Sequence, residues 1–82
     1  MKLSNRTILI TGGGTGIGRA LAEQLAAAGN TVLICGRRLE KLQEVASGAP
    51  GVHAYRCDLA DSAEVQAMLA AISDDGHRLH FG

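Results

Sequence analysis

From Thr11 to Gly18 the chain reads Thr-Gly-Gly-Gly-Thr-Gly-Ile-Gly, five glycines in eight residues. The apolar, β-branched run Thr7-Ile8-Leu9-Ile10-Thr11 leads into it. After it, Ile17, Leu21, Leu25 and Ala28 recur at helical spacing, with Ala20 and Gln24 between them. Glycines between a strand and a helix permit tight turning and close backbone approach, and the free amides of the helix start point at an anion. The chemistry this suits is phosphate binding, with a pyrophosphate as the natural occupant. A merely flexible loop is the bland reading, and five glycines placed between two elements go well beyond it. An ATP-type loop needs Gly, four residues, then Gly-Lys-Ser/Thr. Gly13 and Gly18 give the first spacing, but Arg19-Ala20 follow where the lysine and hydroxyl belong. Gly-x-Gly-x-x-Gly fails in every register. Thr-Gly-x-x-x-Gly-x-Gly fits, with Thr11, Gly12, Gly16 and Gly18.

The elements that would hold this loop alternate along the chain. Thr7 to Thr11 and Thr31 to Cys35 are continuous apolar runs of the kind found in strands covered on both faces. Gly29-Asn30 stops the first helix, since both residues tolerate positive φ. Gly36-Arg37-Arg38 ends the second strand. Leu39, Leu42, Val45 and Ala46 then mark a short helix, broken by the turn residues Ser47 to Gly51. Val52 to Cys57 is a third strand, less apolar and nearer an edge. Asp61 to Glu64 reads as a capping box with Asp in place of Ser. Behind it, Val65, Met68, Leu69 and Ile72 form a narrow apolar stripe. The order β-α-β-α-β-α predicts an α/β fold with parallel strands and right-handed crossovers.

Composition bounds the function. The chain has 82 residues, 46% of them apolar, and eight Lys/Arg balance eight Asp/Glu. This is a globular composition, with room for one domain and a thin core. Zero net charge gives no overall pull toward nucleic acid or anionic membrane, and two aromatic residues, Tyr55 and Phe81, make no base-stacking platform. No run reaches the ~18 to 20 apolar residues of a membrane span, and no secretory h-region opens the chain, so a cytoplasmic protein is expected. Cys35 and Cys57, 22 positions apart, lack metal or redox spacing and read as small buried strand residues. His53 reads as a structural strand histidine. His77 and His80 lack partners for a metal, and no metal site is expected.

With these residues in place, the sequence resembles the classical short-chain dehydrogenase/reductase family. TGGGTGIG matches the family's cofactor motif in full. Residues 1–38, MKLSNRTILITGGGTGIGRALAEQLAAAGNTVLICGRR, are similar to the short-chain dehydrogenases found with teichoic-acid D-alanylation genes. The resemblance covers residues 3 to 73, about the first third of a complete family member. It implies a single NAD(P)-binding segment over residues 1–82, with residues 1–73 family-like and residues 74–82 a divergent tail. The implied fold is a Rossmann-type half-domain. Its three-stranded parallel sheet has order 3-2-1 and is incomplete relative to the full family fold. Leu79 falls where a fourth strand would begin, and the residues after it depart from the family pattern, as in a truncation, gene fragment or shifted frame.

The resemblance also assigns cofactor contacts. In a Rossmann unit an acidic residue at the end of the second strand accepts from the ribose 2′-hydroxyl and favours NAD. Gly36 stands there instead, followed by Arg37 and Arg38. Their guanidiniums suit a 2′-phosphate, so NADP is expected ahead of NAD, with Arg37 the leading contact. Asp58 falls where the family accepts from the adenine amino group, and the Leu59 backbone assists. Thr15 is a hydroxyl donor to the phosphates. The full expected set is Thr11, Gly12, Gly14, Thr15, Gly16, Ile17, Gly18, Arg37, Arg38, Asp58 and Leu59. No catalytic residue maps: the family's Ser, Tyr and Lys have no counterpart, and Tyr55 is followed four positions later by Leu59. The expected function is the dinucleotide-binding part of an NADP-dependent oxidoreductase acting on a small carbonyl or alcohol, with no turnover of its own. The alternative is a non-catalytic dinucleotide-binding module or gene fragment. The order 3-2-1 leaves the first strand at an edge without Lys or Pro, which predicts self-association through it.

Overall fold

Each apolar run becomes a strand and each longer period a helix. In the computed structural model, which describes residues 5–12, 14 and 16–77, the elements are β1 (Thr7–Thr11), α1 (Gly16–Ala27), β2 (Thr31–Gly36), α2 (Leu39–Gly48), β3 (Val52–Arg56) and α3 (Ser62–Asp74). The strands form one sheet of order β1-β2-β3, the expected 3-2-1 seen from its other edge. Both pairings are parallel, with Thr7 opposite Thr31 and Val32 opposite Val52. This is a Rossmann-type half-domain. Among the described residues nothing pairs with the outer edge of β1, and β3 holds the other edge.

The central strand is the core. Val32, Leu33, Ile34 and Cys35 are completely buried, because successive side chains on β2 point to opposite faces and both faces are covered. Val32 and Ile34 pack with Ala22 of α1, Leu42 and Val45 of α2, and Val52. Leu33 and Cys35 pack on the other side with Met68 and Ile72 of α3 and with Cys57. Two helices therefore cover one face and α3 the other. Among the described residues no helix is long and apolar enough to cross a membrane.

Helix α1 turns a different face inward than its leucine spacing suggests. Ala22 is buried, with Leu25 and Ala26 packed beside it, while Ile17 is 87% exposed and Leu21 44%. Ala22 and Ala26 sit one turn apart, and their small side chains let the helix lie close on β2. That approach rotates Ile17 and Leu21 outward. In α3 three residues of the expected stripe hold, with Met68 and Ile72 buried and Val65 packed with them, while Leu69 is exposed.

The α1–β2 junction is fixed by Asn30. Gly29 takes the left-handed turn at φ +97, while Asn30, which also tolerates that conformation, does not adopt it. It is 4% exposed and works through its amide. Its Nδ2 donates to the Leu25 carbonyl at 2.9 Å, and its Oδ1 accepts from the Arg6 backbone N–H at 3.2 Å. One side chain thus closes the helix end and holds the lead-in to β1. The turn before β3 passes against the same residue: Gly51 has φ +94, and a Cβ on it would stand 3.1 Å from the Asn30 carbonyl oxygen.

Helix α3 is capped as expected at one end only of the proposed box. Asp61 Oδ1 accepts from the N–H groups of Ala63 and Glu64. Glu64 does not return the bond, because the Asp61 N–H already donates to the Asp58 carbonyl at 3.0 Å. The Glu64 carboxylate instead accepts from Arg56 at 2.6 Å and from the Asp58 N–H at 3.2 Å. At the far end of α3, Tyr55 donates its hydroxyl to Asp75 at 2.6 Å, and the His53 and His77 rings lie 5.1 Å apart between centroids. Helix α3 therefore runs back along β3.

Two outcomes are expected. Asn30→Ala removes a donor and an acceptor at once and leaves the Arg6 N–H without its partner. Urea unfolding should show a loss of about 1–3 kcal/mol, against less than about 0.5 kcal/mol for the exposed Ser47→Ala. An unchanged midpoint in Asn30→Ala would refute the clamp. The second concerns Tyr55, the only tyrosine. Partial burial, then the hydrogen bond and charge of Asp75, push its hydroxyl from 10.0 up to about 12. Ultraviolet titration should find its midpoint near that value, and Asp75→Ala should bring it back toward 10.0. Between those two pH values the unfolded chain gives up the tyrosine proton before the folded one does, so stability falls as pH rises through that window and is unaffected below it.

Candidate functional site

The cleft lies where β1 and β2 end and their loops diverge. The Gly12 N–H donates to the Cys35 carbonyl at 2.9 Å, which extends the β1–β2 pairing into the glycine loop. Gly12 and Gly16 have φ of +69 and +61, and a Cβ on either would meet nothing within 4 Å. These two glycines answer to backbone conformation rather than space. Gly14 lies against α2. A Cβ there would stand 3.4 Å from Leu42 Cδ2 and 3.5 Å from Lys41 Cβ, in ordinary contact with that helix. Leu42 also lies under Gly36, its methyls 3.8 and 3.9 Å from where a Cβ would be. One leucine of α2 thus supports both glycine walls.

The result is an open cleft of about 470 Å³. The loop contributes Gly12 and Gly14, the end of β2 contributes Cys35 and Gly36, and the α2 side contributes Arg37, Arg38, Lys41 and Leu42. Three cations line it and no carboxylate does. Ion pairs among the described residues engage Arg19 with Glu23 and Glu44, and Arg56 with Glu64; the cations of the cleft are in none of them. Arg38 occupies the position before α2 in an extended conformation with no side-chain cap bond. Its carbonyl accepts from the Lys41 and Leu42 N–H groups, and the residue is exposed. Such a cleft presents positive charge beside backbone that a ligand can approach closely, which suits a phosphorylated anion.

Cys35 forms part of the floor. Burial, and then neighbouring Cys57, push its thiol up. Burial followed by the charges of Glu64 and Asp58 does the same to Cys57. Both cysteines are buried and free, and thiols held protonated in this way are poor nucleophiles.

Of the residues singled out in the sequence, Gly12, Gly14, Arg37 and Arg38 come together on this cleft. Thr11 ends β1, while Gly16, Ile17 and Gly18 open α1. Thr15 lies outside the described residues, as does Leu79 in the tail. Asp58 and Leu59 follow β3 and are not part of the cleft lining. The Asp58 Oδ1 accepts from the Ala60 N–H at 3.0 Å, closing a turn on itself, and Leu59 is exposed. Tyr55 lines a separate groove along β3, with its hydroxyl committed to Asp75. Sequence reasoning missed two residues. Lys41 reaches the cleft through the first turn of α2, a position readable only once the phase of that helix is known. Glu64 ties the Asp58 loop to Arg56, whereas its place in the sequence pattern points only to the cap.

Comparison with known proteins follows the same lines. The family model described as short chain dehydrogenase matches residues 6–81. An uncharacterized oxidoreductase of Bacillus subtilis (strain 168), DltE, is 46% identical over 68 residues, covering 83% of this chain and 27% of that protein. A 2,5-dichloro-2,5-cyclohexadiene-1,4-diol dehydrogenase of Sphingobium indicum is 44% identical over 69 residues, covering 83% of this chain and 28% of its own length. Among solved structures, the Pseudomonas aeruginosa RhlG/NADP active-site complex superposes with a TM-score of 0.84 at 33% identity, covering 95% of this chain and 33% of that one. The 3-ketoacyl-(acyl-carrier-protein) reductase of Brucella melitensis complexed with NADH gives 0.81 at 33% identity, covering 90% and 31%. The chain spans just over a quarter of these curated relatives and about a third of these structures. By fold, by glycine loop and by sequence, the chain belongs to the short chain dehydrogenase family.

Proposed function

We propose that this chain is the dinucleotide-binding part of an NADP-dependent short-chain oxidoreductase. The observation that carries the reading is the cleft at the end of β2, where Gly36 stands in place of a carboxylate and unpaired Arg37 and Arg38 stand beside it. An acidic residue there would repel a 2′-phosphate, and a guanidinium attracts it. The glycine loop would hold the pyrophosphate, with Thr11, Gly12, Gly14, Gly16, Ile17 and Gly18 described in the structure and Thr15 completing the set. Asp58 and the Leu59 backbone would meet the adenine. The fit is supported by Gly14, which keeps α2 and the loop in close contact while adding no side chain to the cleft. When bound, the nicotinamide supplies hydride exchange with a small carbonyl or alcohol; the work of these residues is to bind and orient its adenosine half. RhlG, whose fold this chain shares, was solved with NADP.

A second reading is favoured by Tyr55. It is the only tyrosine, it lies outside the cleft and its hydroxyl is tied to Asp75. It is therefore not placed to move a proton at a substrate oxygen. In this reading the chain is a non-catalytic dinucleotide-binding module or a gene fragment.

Calorimetric titration of NADPH and NADH against the wild type and Arg37→Ala tests the cofactor assignment. The wild type should prefer NADPH by about tenfold or more, and Arg37→Ala should lose most of that preference. Equal affinities in the wild type would overturn it.

We also propose self-association through β1. The outer edge of this strand is unpaired among the described residues, and its sequence carries no Lys or Pro to discourage another strand. Sedimentation velocity at micromolar concentration should show species heavier than the 8.5 kDa chain, and Thr7→Lys should shift the distribution toward that mass. A monomeric wild type would refute it.

A further inference from the structure

Some cations of the described fold are spent on carboxylates, and three that are not meet at one place. Arg19 and Arg56 are in ion pairs, whereas Arg37, Arg38 and Lys41 converge on one cleft with none. Two of these three simply follow the end of β2. Lys41 is there for another reason. It lies in the first turn of α2, where its N–H donates to the Arg38 carbonyl at 3.2 Å, and the turn brings it back over the cleft. Its Cβ lies 3.5 Å from where a Gly14 Cβ would stand, so its side chain leaves the helix at the margin of the glycine loop. Glu44, one turn further along α2, directs its carboxylate to Arg19 at 3.9 Å, which takes the acid of the next turn into a different pair.

We propose that Lys41 is a specificity-determining residue, its ammonium contacting the 2′-phosphate of the nucleotide from the glycine-loop side of the cleft. This rests on the reading of the cleft as an NADP site. A guanidinium pairs with two oxygens of a monophosphate in a fixed plane, and a lysine on a flexible stem serves a remaining oxygen as a point charge. The contact exists only when the 2′-phosphate does, so it discriminates between the two dinucleotides rather than tightening both.

The test is calorimetry of NADP+ and NAD+ with the wild type, Lys41→Met and Lys41→Arg, each checked for unchanged far-ultraviolet circular dichroism. Methionine keeps the apolar stem and removes the charge. Lys41→Met should weaken NADP+ by roughly fivefold to tenfold and NAD+ by less than about twofold, and Lys41→Arg should keep most of the preference. If the wild type prefers NADP+ but Lys41→Met weakens both dinucleotides alike, or neither, the role of Lys41 is overturned while the cofactor assignment stands. If the wild type shows no preference, the reading of the cleft fails and Lys41 with it.

Discussion

Everything on the functional face hangs from the last two residues of β2. The Cys35 carbonyl accepts from Gly12 and the Gly36 carbonyl accepts from Cys57 at 2.8 Å, so the loop after β1 and the loop after β3 are both tied to one strand end. That strand is able to serve as an anchor because Val32 to Cys35 are wholly buried between two helical layers. Its backbone is removed from water and its hydrogen bonds face no solvent competition. Loops fastened to such a strand inherit its rigidity, which is what a site made largely of backbone amides requires.

Charge is arranged by the same scaffold. Each of α1, α2 and α3 carries at least one acid, and those in ion pairs are turned to Arg19 and Arg56. The Arg19–Glu44 contact joins α1 to α2 on the outer surface, and Arg56–Glu64 joins β3 to α3. Exposed pairs of this kind contribute little stability each. Their larger effect here is on distribution: carboxylates engaged elsewhere leave the lining of the cleft basic in a chain of zero net charge.

The strands were legible because their cause is local. A β-branched apolar run such as Thr31 to Cys35 fits a strand buried on both faces and little else. The helices were legible from period and stop residues, but the inward face of α1 was not. Leucine spacing pointed to Ile17 and Leu21, while the contact is made by Ala22 and Ala26, since the separation of helix and sheet is a tertiary quantity that small residues set. The capping box was half legible: Asp61 caps as read, but the Glu64 partner depended on where the Asp58 carbonyl lies. In the cleft, the glycines and Arg37-Arg38 were visible as neighbours in sequence. Lys41 was not, because its position follows from the rotation of α2 against Gly14.

The parallel register has a consequence for how the chain assembles. Thr7 stands opposite Thr31, 24 positions on, and Val32 stands opposite Val52, 20 positions on. No pair of strands can meet as a hairpin, so each closure must bring in its intervening helix. The two loops are so similar in length that their closure entropies differ by only about 0.2 kcal/mol. Neither half of the sheet has a head start in the search. The buried side chains of β2 need helices on both faces before they are covered, so the central strand is complete only when both neighbours and their crossover helices are in place.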